Sequence, residues 1–229
     1  LLSDSGGSLA TFLGTGANRG IGLEFCRQLQ ARHDQVIAVC RQASPELEAI
    51  GVEIQSGIEL SSEASISALV QNLQSRSLDG VILNAGILQS MDLETLDSEG
   101  IKRQFEVNAL APLLLAQSLV ELMPRGAKLA LITSRMGSID DNTSGGSYGY
   151  RMSKVALNMA GRSLSIDLKP RGIAVAILHP GLVSTRMINF NPKGISPEKA
   201  VIGLLARIDE LELEASGTFW HSSGQQLPW

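Results

Sequence analysis

The segment TGANRGIG occupies residues 15–22, after the short apolar run Leu9–Leu13 and before a helical pattern through Ile21, Phe25 and Leu29. Its glycines allow backbone angles that are closed to other residues and let the phosphates of a ligand approach the main chain. The first turn of the following helix offers unpaired N–H groups and the positive end of its dipole to an anion. A strand, a glycine-rich turn and a helix in this order predict nucleotide binding. A tight strand–helix turn without a ligand is the alternative.

Short apolar runs alternate with helix-length amphipathic stretches along the rest of the chain. Further strands are predicted at Val36–Cys40, Val52–Ile54, Gly80–Leu83, Lys128–Thr133, Ile173–Leu178 and Thr218–Trp220. Further helices are predicted around residues 66–73, 98–123 (with Pro112 as a kink), 148–168 and 197–211. Because the strands are apolar on both faces and are separated by helical crossovers, the pattern favours a parallel sheet covered on both sides. We therefore expect an α/β fold, a single doubly wound parallel-sheet domain of the Rossmann type.

Composition excludes several classes of protein. With 229 residues, 44% of them hydrophobic, and a net charge of −4, the chain is too apolar and too weakly charged for intrinsic disorder. Nineteen basic residues against 23 acidic ones, without a basic cluster, argue against nucleic acid as a partner. The best candidate for a membrane span, Ala109–Ala116, is short and contains Pro112, so no membrane association is expected.

The chain ends and the cysteines complete this picture. Residues 1–8, LLSDSGGS, lack the pattern of a signal peptide and are interpreted as a flexible leader or a cloning remnant, which leaves residues 9–229 as the domain. Cys26 and Cys40 do not form a disulfide framework, and thiols in a reducing cytoplasm are the simpler interpretation. His33, His179 and His221 are widely spaced and have no cysteine or acidic partner at ligand spacing, so no metal site is predicted.

The end of the second predicted strand indicates which dinucleotide is bound. An NAD-binding chain places an acidic residue about twenty positions after the glycine turn, where it binds the ribose 2′-hydroxyl. Here Arg41 stands nineteen positions after Gly22, and no acid follows until Glu46. Arg41 and Arg19 would hold a 2′-phosphate through charge-assisted hydrogen bonds, which favours NADP(H). Two solvated surface arginines are the alternative.

The spacing G-x-x-x-G-x-G, preceded by Thr15, resembles the glycine turn of the short-chain dehydrogenases/reductases rather than the common G-x-G-x-x-G. The resemblance extends over residues 9–229. The segments SRMGSI (134–139) and GTFWHSSGQQLPW (217–229) are most similar to the small carbonyl reductases of the sniffer and C-factor type.

This resemblance implies a catalytic group of Asn108, Ser134, Tyr150 and Lys154. Tyr150 and Lys154 are four positions apart and so share one helix face, where the ammonium group and a bound nicotinamide would lower the pKa of the phenol. Tyr148 lacks such a partner, since Met152 stands four positions after it. By resemblance Ser134 orients the substrate oxygen, and Asn108 holds a water that connects Lys154 to solvent.

The resemblance also assigns the cofactor-binding residues. They are Gly16, Asn18, Arg19, Gly20, Ile21, Gly22, Arg41, Glu59, Leu60, Asn84, Ala85, Gly86, Tyr150, Lys154, Pro180, Gly181, Val183 and Thr185. Two positions depart from the family pattern: Glu59-Leu60 replaces Asp-Val beside the adenine, and Leu83 replaces the first Asn of Asn-Asn-Ala-Gly. The loop 180–185 would bind the nicotinamide carboxamide.

The predicted function is hydride transfer between NADP(H) and a small carbonyl or alcohol substrate, with Tyr150 as general acid or base. The short segment Arg186–Ser196, where the family forms its lid, suggests an open cleft and broad carbonyl specificity. A cofactor-binding signalling or redox-sensing protein with incidental chemistry is the alternative. A degenerate structural homologue is disfavoured because all four catalytic positions are filled. The resemblance further implies a homodimer, with a homotetramer left open, that pairs helices 98–123 and 148–168.

Overall fold

A computed structural model describes residues 9–229, and the prediction for residues 1–8 lies outside the described residues. Seven strands form one sheet in the order β3-β2-β1-β4-β5-β6-β7, and every neighbouring pair is parallel. The strands are β1 (Thr11–Thr15), β2 (Gln35–Val39), β3 (Glu53–Gln55), β4 (Gly80–Leu83), β5 (Lys128–Ile132), β6 (Ala174–His179) and β7 (Phe219–His221). The predicted doubly wound parallel sheet is confirmed.

The α-helices lie between these strands. They are α1 (Gly20–Ala31), α2 (Pro45–Glu48), α3 (Glu63–Leu73), α4 (Ser98–Phe105), α5 (Ala111–Leu119), α6 (Tyr148–Asp167) and α7 (Pro197–Asp209). The short helix α2 was not predicted, although Ser44 caps it by accepting a hydrogen bond from the Leu47 N–H at 3.2 Å and Pro45 begins it.

Successive strand residues face opposite helical layers, as strand geometry requires. On one face Leu13 and Val81 belong to a buried cluster that includes Leu157 of α6. On the other face Phe12 belongs to a second cluster that includes Phe25 of α1. Both faces of the sheet are thus buried, which explains why the strand sequences lack a polar alternation.

The first strand begins and ends two residues later than predicted. Gly14 and Thr15 are not apolar, but they pair with Ala38 and Val39 of β2, so the strand continues through them to the glycine turn. Pairing with neighbouring strands, rather than hydrophobicity, therefore sets the end of β1.

The predicted long helix is interrupted before Pro112 rather than at it. Residues Glu106–Leu110 form a π-helical turn between α4 and α5, and Pro112 stands in the first turn of α5. A proline ring in a regular helix clashes with the carbonyl four residues earlier, here that of Asn108, and a wider turn relieves that clash.

The whole helical segment Ser98–Leu122 is also long and apolar enough to cross a membrane by length and composition. The candidate predicted from the sequence, Ala109–Ala116, is therefore too short, because the helical segment extends beyond it on both sides. Length and composition do not distinguish a membrane span from a core helix, and Leu115 and Leu119 of this segment are fully buried against the sheet.

Substitution of two glycines in the sheet by alanine is expected to have opposite effects on stability. A Cβ atom at Gly80 would overlap the buried ring of Phe12, which lies opposite it in β1, whereas a Cβ at Gly14 would have no other atom within 4 Å. We expect Gly80→Ala to lower the free energy of unfolding by about 1–3 kcal/mol because the ring must move. Gly14→Ala should leave it unchanged or raise it by up to about 1 kcal/mol. Urea unfolding of both variants checks this, and equal losses in the two would contradict the packing described.

Candidate active site

The glycine turn between β1 and α1 has the geometry of an anion cradle. Gly16 and Gly20 have φ angles of +66° and +55°, in the left-handed region that favours glycine. A Cβ atom at Gly22 would overlap the carbonyl oxygen of Gly16, so this position also requires glycine. Arg19 stands at the N-cap of α1 and its side chain gives the helix no capping hydrogen bond. The first N–H groups of α1 are therefore left for another acceptor.

A hydroxyl ties this turn to the end of β4. Thr15 is buried, and its Oγ1 accepts hydrogen bonds from the backbone N–H groups of Asn84 and Ala85, both at 3.0 Å. The Asn84 side-chain Nδ2 in turn donates to the Thr15 carbonyl at 3.0 Å. These three bonds bring the segment 84–86 against the glycine turn.

A cleft of about 1210 Å³ opens above the turn and the adjoining strand ends. Twelve of the predicted cofactor-binding residues line it: Gly16, Asn18, Arg19, Gly20, Ile21, Arg41, Glu59, Leu60, Asn84, Ala85, Gly86 and Thr185. The remaining six, Gly22, Tyr150, Lys154, Pro180, Gly181 and Val183, are not part of this lining. Gly22 lies within the turn itself, and the other five belong to α6 and the loop after β6.

The cleft also has a wall of charged residues that was not predicted. It consists of Lys102, Arg103 and Glu106, from α4 and the adjoining π-helical turn. Met187 and Phe190 also line the cleft, and they belong to the predicted lid segment Arg186–Ser196. The charged residues of α4 follow an ordinary amphipathic helix pattern, so the sequence gives no signal that they face a ligand site.

Tyr150 and Lys154 lie in the first turns of α6 and are both buried, with 8% and 4% of their surface exposed. The Lys154 Nζ is 5.7 Å from the centre of the Tyr150 ring and donates a hydrogen bond to the Ile132 carbonyl at 3.0 Å. A Cβ atom at Gly86 would lie 3.7 Å from the Lys154 Nζ. The pair therefore lies directly behind the segment that lines the cleft.

Burial dominates the electrostatics of this pair. It raises the pKa of Tyr150 to about 12, and a hydrogen bond with the Ser134 side chain offsets part of that increase. Burial also lowers the pKa of Lys154 to about 8. In the protein alone the pKa of Tyr150 is therefore raised, because removal from water disfavours the phenolate. The predicted lowering involves a bound nicotinamide as well as Lys154, and it stays a prediction.

Ser134 stands at the end of β5, where it meets α6. It is 7% exposed, and its Oγ accepts a hydrogen bond from the Met136 N–H at 3.1 Å, which caps the short 3-10 turn Arg135–Gly137. A Cβ atom at Gly137 would lie 2.7 Å from the Lys154 carbonyl carbon, so the turn presses against α6. This close contact holds the hydroxyl beside Tyr150.

Asn108 lies in the π-helical turn and is fully buried. Its Oδ1 accepts from the Ile87 N–H at 2.8 Å, and its Nδ2 donates to the Ile87 carbonyl at 2.9 Å and to the Ser153 Oγ at 3.0 Å. The Ser153 hydroxyl donates to the Tyr150 carbonyl at 2.8 Å. The amide thus joins the segment after β4 to the helix that carries Tyr150 and Lys154.

The loop after β6 brings a fourth segment to the site. Gly181 has a φ of +89°, and the Ser184 N–H donates to the Ile195 carbonyl at 2.8 Å. Thr185 reaches the glycine turn, since its Cγ2 would lie 3.4 Å from a Cβ atom at Gly20. The four predicted residues of this loop are therefore placed between the glycine turn and the end of β6.

His179 precedes this loop and contacts His221 edge-on, with 5.1 Å between ring centroids. Burial lowers its pKa to about 3, so the imidazole is neutral at physiological pH. Within residues 9–229, no group of three or more His, Cys, Asp or Glu side chains is arranged to hold a metal ion.

Comparison of the sequence with known proteins gives relatives that match most of the chain. The model of the short chain dehydrogenase family matches residues 10–194. A 1-hydroxy-2-glutathionyl-2-methyl-3-butene dehydrogenase from Rhodococcus sp. (strain AD45) is 40% identical over 226 residues, covering 96% of this chain and all of that protein. The C-signal protein of Myxococcus xanthus is 41% identical over 165 residues, covering 71% of this chain and 99% of that protein.

Solved structures of carbonyl reductases have the same fold. The carbonyl reductase Sniffer of D. melanogaster superposes with a TM-score of 0.88 at 28% identity, covering 96% of this chain and all of that one. An NADPH-bound carbonyl reductase from chicken fatty liver superposes with a TM-score of 0.86 at 28% identity, covering 96% of this chain and 99% of that one.

The buried lysine predicts a stability that depends on pH. The pKa of Lys154 is about 8 in the folded protein and about 10.5 in the unfolded chain. Below pH 8 the amine is buried in its charged form, so the free-energy cost of burying it is largest there. Between about pH 8 and pH 10.5 the unfolded state binds more protons, so the free energy of unfolding rises with pH in this range. Relative to Lys154→Met, the intact protein should gain about 2 kcal/mol in free energy of unfolding between pH 7 and pH 9.5. Urea melts at the two pH values measure this difference, and a gain of zero would mean that the amine is not desolvated.

Proposed function

The chain belongs to the short-chain dehydrogenase family, and on that premise we propose that it is an NADP(H)-dependent oxidoreductase acting on carbonyl or alcohol substrates. Membership confirms the resemblance found in the sequence, including its similarity to C-factor and sniffer-type proteins. The observation that carries the proposal is the buried Tyr150–Lys154 pair beside Ser134, directly behind a cleft with a glycine cradle.

The residues present fit a dinucleotide cofactor. Gly16 and Gly22 have no room for a side chain, and Gly20 has a positive φ that favours glycine. The uncapped start of the twelve-residue helix α1 offers N–H groups and a positive dipole end to a pyrophosphate. Arg41, which follows β2, and Arg19, in the glycine turn, both line the cleft and would hold the 2′-phosphate that distinguishes NADP(H) from NAD(H). The NADPH-bound reductase among the structural neighbours supports this preference.

The mechanism requires one proton and one hydride. NADP(H), when bound, would supply the hydride to the carbonyl carbon or accept it from the alcohol carbon. Ser134 would hydrogen-bond the substrate oxygen and hold it beside Tyr150, whose hydroxyl donates the proton as the carbonyl becomes an alcohol. In the protein alone burial raises the pKa of Tyr150 to about 12, so its hydroxyl carries a proton at neutral pH. The Lys154 ammonium group would then stabilise the Tyr150 phenolate that remains and would take part in returning a proton to it.

Asn108 would support this reaction by positioning the segments that carry the site. Its amide fixes the backbone of Ile87 on one side and Ser153 on the other, so the first turns of α6 keep their orientation toward the cleft. The proposed water relay at Asn108 would add to this role.

The substrate would lie between Tyr150 and the segment after β6. Met187 and Phe190 give that segment apolar side chains facing the cleft, which suits an aldehyde, ketone or diketone with an apolar body. The short lid Arg186–Ser196 supports broad carbonyl specificity. The Rhodococcus relative is named for an alcohol with a bulky substituent, which is consistent with an open cleft.

A second candidate function is signalling or redox sensing with incidental chemistry, in the same fold and cleft. The specific observation that favours it is the 41% identity to the C-signal protein. The complete set of Asn108, Ser134, Tyr150 and Lys154 favours the enzyme, because a sensor has no need of a buried acid–base pair.

We also propose that the chain is a cytoplasmic homodimer, with a homotetramer left open. Tyr148, Met152, Met159 and Ile166 follow one another at helical spacing on α6 and are all exposed, from 37% to 66%. A second copy would cover this exposed apolar stripe of α6.

The proposed function is tested by Tyr150→Phe, with Tyr148→Phe as a control that also removes one hydroxyl, from a partly exposed tyrosine two residues away. NADPH oxidation is measured against NADH with a panel of aldehydes, ketones and diketones. We expect turnover with NADPH, a loss of at least about 10²-fold in kcat in Tyr150→Phe, and near-normal turnover in Tyr148→Phe.

Near-normal turnover in Tyr150→Phe would overturn the assignment of the acid. Tight NADPH binding without reduction of any carbonyl would favour the signalling alternative. Binding of neither dinucleotide would overturn the proposed function altogether.

A further inference from the structure

Two opposite charges meet at the end of the cleft where the 2′-phosphate would bind. Arg41 follows β2 and Glu59 follows β3, and these neighbouring parallel strands end at the same edge of the sheet. The Arg41 Nη1 and the Glu59 Oε2 are 3.7 Å apart, and both side chains line the cleft. The arginine assigned to the phosphate therefore already has a carboxylate beside it.

The backbone holds both residues in this arrangement. Gly57 N–H donates to the Arg41 carbonyl at 3.0 Å, and Ile58 N–H donates to the Cys40 carbonyl at 3.1 Å, so pairing of the two chain segments continues beyond the strands. The Glu59 N–H donates to the Ser65 Oγ at 2.9 Å. The sheet and these hydrogen bonds thus fix the backbone of both residues, and their exposed side chains meet above it.

A second contact orients the Glu59 carboxylate. The Glu59 Oε1 accepts a hydrogen bond from the Ser61 Oγ at 3.1 Å, which leaves the other oxygen toward Arg41. A shorter acidic side chain at this position would end about one methylene further from the guanidinium.

The ion pair is weak enough to open. The side chains are 62% and 48% exposed, and 3.7 Å is longer than a hydrogen bond. Exposed pairs of this kind contribute at most about 1 kcal/mol. A phosphate dianion can therefore displace Glu59 from Arg41, but it must do so against the attraction of the pair and the repulsion of the carboxylate.

We infer that Glu59 limits the selectivity for NADP(H) by competing with the 2′-phosphate for Arg41. The inference rests on the proposed NADP(H) binding and assigns Glu59 a role other than the adenine contact implied by resemblance. A ribose 2′-hydroxyl carries no charge, so NADH binding is little affected by the same carboxylate. Arg19 has no ion pair within residues 9–229 and remains an uncompensated contact for the phosphate.

Glu59→Gln tests this inference, because it removes the charge and keeps the size of an exposed side chain. Dissociation constants for NADPH and NADH are measured by fluorescence, and those for adenosine 2′,5′-bisphosphate and 5′-AMP by calorimetry. We expect NADPH and the bisphosphate to bind about fivefold more tightly, and NADH and 5′-AMP to change by less than about twofold. These are binding measurements and require no turnover.

Glu46→Gln is the matched control. Glu46 also lines the cleft and loses the same charge, but it forms no ion pair with Arg41 among the described residues. We expect this variant to leave the ratio of NADPH to NADH affinity unchanged to within about twofold.

Each other outcome overturns the inference in a recognisable way. If NADPH bound more tightly to both variants by the same factor, the effect would come from the general negative charge of the cleft and not from the contact with Arg41. Weaker binding of NADPH and NADH alike in Glu59→Gln would indicate that Glu59 holds the adenosine half. Failure of the intact protein to bind NADPH or the bisphosphate would overturn the proposed function itself, and the inference with it.

Discussion

The buried amide of Asn108 is the contact on which the geometry of the site depends. An amide at this depth is costly unless its groups are hydrogen-bonded, and here both N–H groups and the oxygen have partners. One side of the amide fixes Ile87, next to the segment that Thr15 ties to the glycine turn. The other side fixes Ser153 on α6. A continuous set of bonds therefore connects the floor of the cleft with the helix that carries Tyr150 and Lys154.

The same burial that makes this network necessary sets the charges at the site. It disfavours both the phenolate of Tyr150 and the ammonium of Lys154, so each group is shifted toward its neutral form. Proton donation by Tyr150 creates a negative charge in that environment, and the adjacent lysine is the group that can compensate it. In the proposed reaction Tyr150 donates the proton, and Lys154 compensates the negative charge that this leaves.

Features that depend on local sequence could be predicted, whereas features that depend on contacts between distant segments of the chain could not. The bounds of β4 were predicted residue for residue, because Gly80–Leu83 is a local apolar run ended by Asn84. The π-helical turn could not be predicted, since Pro112 signals a break in a helix but not its form or place. The raised pKa of Tyr150 and the Arg41–Glu59 contact depend on burial and on chain segments far apart in sequence. The types and order of the candidate site residues could be read from the sequence, but the way they contact one another required the fold.

The most direct test of the proposed active site is a crystal structure of the protein with NADP⁺. We expect the pyrophosphate at the glycine turn of residues 16–22, the 2′-phosphate within hydrogen-bond distance of Arg41, and the nicotinamide ribose within reach of Tyr150 and Lys154. A dinucleotide bound elsewhere, or a nicotinamide ring directed away from Tyr150, would contradict the proposed active site.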